Sequence, residues 1–228
     1  MRERDLIIKR CISNFGPLTR EQLIELAQVE ELGAAQTLWR RLLPSKPLIT
    51  QKAIYVRRGG TNEKYVYADY DISKRKDLEH DLITSWAHIT LHRTFQILYW
   101  RRSREKYKGK LNEDAYFILT IPGVLVNGRP SEVHYYLESD TGSEGYAKIE
   151  EKLKRYLQHY EREGNPFFVL FVCATDRRAL DLIKRAARVV PYEKRNFIMF
   201  TSLQRLRENP TGQICLIPHE DTFYPILP

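Results

Sequence analysis

Apolar positions change rhythm several times along the chain, and each change marks an element. Leu6, Ile7, Cys11 and Ile12 fall at helical spacing, and the stripe stops at Phe15-Gly16-Pro17. Thr19 is a helix N-cap, with Glu21 or Gln22 as its reciprocal partner, and opens a short helix over 20–26 whose Leu23, Ile24 and Leu26 point inward. A third helical stripe runs from Leu32 through Ala34, Ala35, Leu38, Trp39 and Leu42-Leu43, and Pro44 and Pro47 end it. Alternation then replaces the helical period. Ile54-Tyr55-Val56-Arg57 and Lys64-Tyr65-Val66-Tyr67 predict two strands around the turn-rich tip Arg58-Gly59-Gly60-Thr61-Asn62.

A short polar stretch, Tyr70 to Lys76, reads as a domain junction. Beyond it the pattern predicts a helix over 77–95, a strand over 96–100, and strands over 115–121 and 133–137 joined through Val126-Asn127-Gly128-Arg129, where Asn-Gly is a tight-turn pair. A helix over 144–162 follows, with Ile149, Leu153, Tyr156 and Leu157 on one face. Phe167-Phe168-Val169-Leu170-Phe171-Val172-Cys173 is a near-continuous apolar run, the signature of a strand buried on both faces. A helix over 177–189 and a strand over 197–200 complete a parallel crossover, and the tail from Gly212 reads as an edge strand with a docked end. The expected organisation is α/β (α+β overall), with one domain over 1–70 and a second over 77–228.

Composition adds a partner class. The chain has 228 residues, 43% hydrophobic and 29% charged, with a formal net charge of +8. A basic globular protein favours a polyanion, nucleic acid first and anionic membrane second. Cys11, Cys173 and Cys215 are scattered and show no CxxC spacing, which fits buried thiols in a reducing cytoplasm. Met1-Arg2-Glu3-Arg4-Asp5 has no apolar stretch of the signal-peptide kind, and no apolar run reaches transmembrane length. The expected location is therefore cytoplasmic, away from membranes. Walker phosphate loops, GxSxG elbows and GxGxxG fingerprints are absent.

Three helices followed by a two-stranded hairpin is the order of a winged helix-turn-helix, a motif whose third helix enters the major groove of double-stranded DNA while the wing follows phosphates. The candidate readers are Gln36, Thr37, Arg40 and Arg41 on the third helix; Arg57, Arg58 and Lys64 are the wing cations. Leu18-Thr19-Arg20-Glu21-Gln22-Leu23 ahead of Arg40-Arg41-Leu42-Leu43 is similar to many prokaryotic winged-helix modules. The alternative for this face is protein contact. A further basic run, from Arg101 to Lys110, carries Arg101, Arg102 and Arg104 among six cations against one acid, and would track a phosphate backbone. His88 and His92 are four apart, but the Glu that a zincin requires after the first His is Ile89 here.

The candidate chemistry lies in the acids that bound the central strands. Asp114 opens one strand, and Glu138 and Asp140 close the next on one side of it, because strand side chains repeat every two residues. Buried carboxylates repel one another unless a cation lies among them, and Mg²⁺ or Mn²⁺ prefers such oxygen ligands. The expected metal ligands are Asp114, Glu138 and Asp140. Lys152 is the preferred lysine to orient a water and offset transition-state charge, with Lys148 four residues earlier as the alternative. His80, beside Glu79 and Asp81 in the first turn of its helix, either points into this site or lies on the helix surface. The lysines, in turn, either serve the site or pair with Glu144 and Glu151.

Helix, three strands, helix, strand, with His80, Asp114-Ala115, Glu138-Ser139-Asp140-Thr141-Gly142 and Lys152-Leu153-Lys154-Arg155-Tyr156 in sequence, resembles the PD-(D/E)xK nuclease superfamily. Over roughly Leu18 to Val189 the chain more closely resembles the replication-relaxation family of bacterial plasmids and mobile elements. That resemblance implies a winged helix joined to a restriction-endonuclease-like αβββαβ core. It also implies metal-dependent chemistry on DNA in replication, nicking or mobilisation. Replication, transfer or transposition proteins, and a second copy of the chain, are the implied partners. Two departures stand out: Asp140 occupies the place of the superfamily lysine, and Glu113 the place of its proline. They motivate the second expectation, a catalytically inactive DNA-binding regulator or adaptor that uses the nuclease-like domain for dimerisation or docking.

Overall fold

The computed structural model describes residues 3–29, 42, 55–57, 65–73, 78–103, 111–163 and 166–227. Its contacts divide the chain into two compact units, Met1–Ile89 and Thr90–Pro228. The division falls inside a helix, later than the junction expected near Tyr70.

In the first unit, α1 (Glu3–Phe15) buries Ile8, Cys11 and Ile12. Leu6, expected on the inner stripe, is half exposed. Gly16, at φ 80°, ends the helix and returns its N–H to the Ile12 carbonyl. Strand β1 (Leu18–Thr19) leads directly into α2 (Arg20–Val29). The cap at this junction is reciprocal and uses Gln22. Thr19 Oγ1 accepts from the Gln22 N–H at 3.1 Å, and Gln22 Oε1 accepts from the Thr19 N–H at 2.9 Å. The strands β2 (Tyr55–Arg57) and β3 (Val66–Ala68) pair antiparallel, and β1 adds to the other edge of β3. Gln22 also donates to the Leu82 carbonyl of α3 (Leu78–Thr94) at 2.7 Å. His88 of α3 is buried with its ring 4.5 Å from that of Phe15, a packing position. The expected third helix, with Gln36, Thr37, Arg40 and Arg41, lies outside the described residues, as do Arg58, Lys64 and Arg104.

The second unit is a mixed α/β fold around a seven-stranded sheet. Its strands are β4 (Ile97–Arg102), β5 (Ala115–Val126), β6 (Arg129–Asp140), β7 (Phe167–Cys173), β8 (Ile198–Ser202), β9 (Cys215–Leu216) and β10 (Phe223–Tyr224), adjacent in that order across the sheet. β4, β5 and β6 form an antiparallel meander, and the β5–β6 turn uses Asn127 and Gly128, both at positive φ. This hairpin is longer than the alternation alone predicts. β6, β7 and β8 run parallel, joined by α4 (Tyr146–Glu163) and α5 (Asp176–Val189). A 3-10 turn precedes β8 and α6 (Leu203–Glu208) follows it.

The sheet's two faces are filled differently. On one, Ile149, Leu153 and Tyr156 of α4 and Ala179, Leu182 and Ala186 of α5 pack on Phe167, Val169, Phe171 and Phe200. On the other, Trp100, Phe117, Tyr135 and Phe168 stack side by side across four strands at 4.9–5.4 Å. Tyr135 donates to the Ile226 carbonyl at 2.5 Å, which docks the tail. Among the described residues no helix is long and apolar enough to cross a membrane. All three cysteines are buried and free.

Candidate functional site

Asp114 enters the site from the residue before β5. Its N–H donates to the Leu137 carbonyl at 3.0 Å, and its Oδ2 accepts from the Ser139 N–H at 2.7 Å. The carboxylate is thus pinned against β6, beside Glu138. Because Ala115 pairs with Leu137, Asp114 and Glu138 share the sheet face that α4 covers.

Glu138 is almost wholly buried, at 1% exposure, and both its oxygens are engaged. Oε2 accepts from the Lys152 ammonium at 2.8 Å, and Oε1 accepts from the Tyr156 hydroxyl at 2.5 Å. Lys152 and Tyr156 are one helical turn apart, so a single face of α4 supplies both donors. Lys152 also reaches Glu144 at 3.3 Å. Burial pushes the Glu138 carboxyl up to about 7, and Asp114 adds to that rise, while Lys152 and Tyr156 oppose it. For Lys152, burial works against the ammonium, but the Glu138 and Asp114 carboxylates outweigh it and hold its pKa above the usual lysine value. Tyr156 stays a phenol, because burial first and the Glu138 carboxylate second raise its pKa well above the ordinary value. One ammonium therefore offsets the charge of two neighbouring carboxylates at a largely buried site.

Asp140 points to the same face but is engaged differently from the expected third ligand. Its oxygens accept from Arg178 at 2.9 and 3.1 Å in a two-pronged pair, and Oδ1 also accepts from the Gly142 N–H at 2.6 Å. Arg178 reaches on to the Glu144 carbonyl at 2.8 Å. The pair fastens the turn after β6 to the first turn of α5. Among the described residues no three His, Cys, Asp or Glu side chains surround one point as a metal-ligand set. The expected convergence of three carboxylates thus resolves into Asp114 with Glu138 around Lys152, and Asp140 with Arg178.

Lys148 is exposed on α4. His80 belongs to the first unit, in the opening turn of α3, where its carbonyl accepts from Thr84 Oγ1 at 3.0 Å. Arg101 donates to Glu113 at 2.6 Å, and Arg102 is half-buried at the end of β4. Only the backbone of Arg57 is described, within β2.

Three participants escape a reading of spacing alone. Tyr156 looks like a core position of α4, and only its position over Glu138 reveals the hydroxyl's role. Arg178 is one of two adjacent arginines, and nothing in sequence selects it for Asp140. Glu113 is 2% exposed; its Oε1 takes the Arg101 hydrogen bond, and its Oε2 is buried with no hydrogen-bond partner among the described residues. Its one sequence signal is that an acid stands directly before Asp114.

Fold and site define a mixed α/β protein with a compensated acidic centre under α4. The chain matches no protein-family model, no curated protein and no solved structure.

Proposed function

We propose that this is a DNA-binding protein of a plasmid or mobile element, with a nuclease-like second unit that carries out metal-dependent phosphodiester chemistry. The observation that carries the reading is the Lys152 ammonium seated on Glu138, with Asp114 one strand away. A superfamily lysine displaced from the strand to the next helix would arrive at this position. The order from α3 through β4, β5, β6, α4 and β7 fits a restriction-endonuclease-like αβββαβ core, and α1, α2 and the β1–β3–β2 sheet fit the frame of a winged helix.

Asp114 and Glu138 suit Mg²⁺ or Mn²⁺, since Mg²⁺ takes one or two carboxylates and keeps several waters. Glu113 Oε2, without a hydrogen-bond partner among the described residues, adds negative charge near Tyr156 of the same centre. A bound ion there would polarise a phosphoryl oxygen and acidify a water. The chain's own contribution is positional. Ser139 N–H fixes Asp114, Tyr156 fixes Glu138, and Lys152 supplies positive charge where negative charge builds. Supercoiled plasmid incubated with the protein and Mg²⁺ or Mn²⁺ should be nicked, and Asp114→Ala should abolish nicking. Intact plasmid with the native protein, or equal nicking by Asp114→Ala, removes the catalytic claim.

One observation favours a second reading, a catalytically inactive regulator or adaptor. Glu138 and Asp140 are already neutralised by Lys152 and Arg178. Duplex binding that survives Glu138→Gln, without metal uptake in calorimetry, supports this reading; metal-dependent cleavage excludes it.

A further inference from the structure

The sheet face that carries Asp114 and Glu138 continues beyond the acids as two rows of side chains. Strand register places Arg101, Tyr116 and Tyr136 in the nearer row, and Tyr99, Ile118 and His134 in the next. Successive rows are about 6.8 Å apart along a strand. Toward the β4 edge this face opens. Tyr116, Ile118 and Tyr136 are half-buried, Tyr99 is 46% exposed, and the side chains of Arg101 and His134 are 42% and 40% exposed. Single exposed rings are ordinary, but these are contiguous. Ring centroids lie 6.0 Å apart for Tyr99 and Tyr116, 6.0 Å for Tyr116 and His134, and 5.3 Å for Tyr116 and Tyr136.

Tyr116, His134 and Tyr136 are also held in place by hydrogen bonds. The Tyr116 hydroxyl lies 2.5 Å from His134 Nδ1, and Tyr136 meets His159 Nε2 at 3.2 Å. Arg101 is tethered by buried Glu113, with its guanidinium 5.7 Å from the Tyr116 ring centre. One of its five donors serves Glu113, which leaves others for an incoming oxygen. β4 is the last strand of the sheet, so Tyr99 has no strand beyond it among the described residues.

Fixed π-faces beside a guanidinium bind bases by stacking and phosphates by charge. Paired DNA hides its base faces, so only unpaired nucleotides can use such a surface. Glu132, 48% exposed and 4.0 Å from His134, repels phosphate at the far end and directs the backbone to the Arg101 side. The chain's net charge of +8 supports the same class of partner. We infer that Tyr99, Tyr116 and His134, with Arg101, form a stacking platform for single-stranded nucleic acid that begins one row from the Asp114–Glu138–Lys152 centre and extends to the second. The inference rests on the proposed phosphodiester chemistry only for its purpose; binding stands or falls separately.

The test uses the full chain and a fluorescein-labelled single-stranded DNA of about 12 nucleotides, within the size one aromatic groove covers. Anisotropy should show binding that weakens roughly 5- to 150-fold in Tyr99→Ala, the range for losing one stacked base. Tyr99→Phe and Tyr99→Trp should retain it, and a duplex of the same sequence should bind Tyr99→Ala and the native protein alike. No single-strand binding by the native protein overturns the inference and leaves a protein-contact face. Equal affinity of Tyr99→Ala and Tyr99→Phe also overturns it. Tyr99-dependent binding in a protein that never nicks plasmid keeps the platform and removes only the nuclease. Nicking with Tyr99-independent binding does the reverse.

Discussion

Removing the Lys152 ammonium while keeping its apolar stem isolates the central electrostatic claim, and Lys152→Met does so. At 2.8 Å the pair with Glu138 attracts by about 6 kcal/mol at an effective dielectric near 20. Desolvation of both groups offsets much of that in the native protein. The variant, however, keeps a buried carboxyl beside Asp114 without its cation, so from about pH 7 upward the group must hold its proton in the folded state and the deficit grows by up to about 1.4 kcal/mol per pH unit. The pH dependence follows from the raised folded pKa of Glu138, about 7 against an ordinary 4.5. Between those values the folded carboxyl binds more protons than the unfolded one, so its contribution to stability falls as pH rises through the window. Without the pull of Lys152 the folded pKa rises further and the window extends upward. The deficit of Lys152→Met should therefore be largest near pH 8 and small near pH 5, and adding Glu138→Gln should recover most of it. Hydrogen exchange of the β6 and β7 amides against urea reports this unit directly. A deficit equal at both pH values, or no recovery with Glu138→Gln, would refute the reasoning.

Arg178→Met strands Asp140, which is 4% exposed, and should cost about 3 kcal/mol in urea unfolding, less when Asp140→Asn is added. Thr175→Ala removes the N-cap that accepts from the Arg178 N–H, and about 1 kcal/mol of stability should go with it. Tyr156→Phe deletes a donor to Glu138, so the Glu138 carboxyl should titrate higher than in the native protein by carbon-detected NMR.

Patterning carried far in this chain because most elements bury one regular face. The apolar run Phe167–Cys173 predicts a strand, and β7 has those bounds. Ile149, Leu153 and Tyr156 predict the inward face of α4, and all three are buried. Thr19 announces a cap with Glu21 or Gln22 as its partner, and the reciprocal pair that forms uses Gln22. Where one face is not decisive, the reading slips. Leu6 lies outside the stripe that Ile8, Cys11 and Ile12 actually bury, and the β5–β6 hairpin runs on through polar and proline positions that alternation does not flag.

Local order, caps, the Asn127-Gly128 turn and the proximity of Glu138 to Asp140 are properties of neighbours in the chain, so short-range geometry determines them from sequence. Which cation meets which acid is different. Lys152 reaches Glu138 across fourteen residues and Arg178 reaches Asp140 across thirty-eight, over a parallel crossover whose strand order no local pattern specifies. Charge pairing depends on distances that only the packed sheet and helices set, and there the three carboxylates separate into two centres. The open aromatic rows beside Asp114 are likewise decided by where α4 stops covering the sheet, since a half-exposed tyrosine and a core tyrosine look the same in sequence.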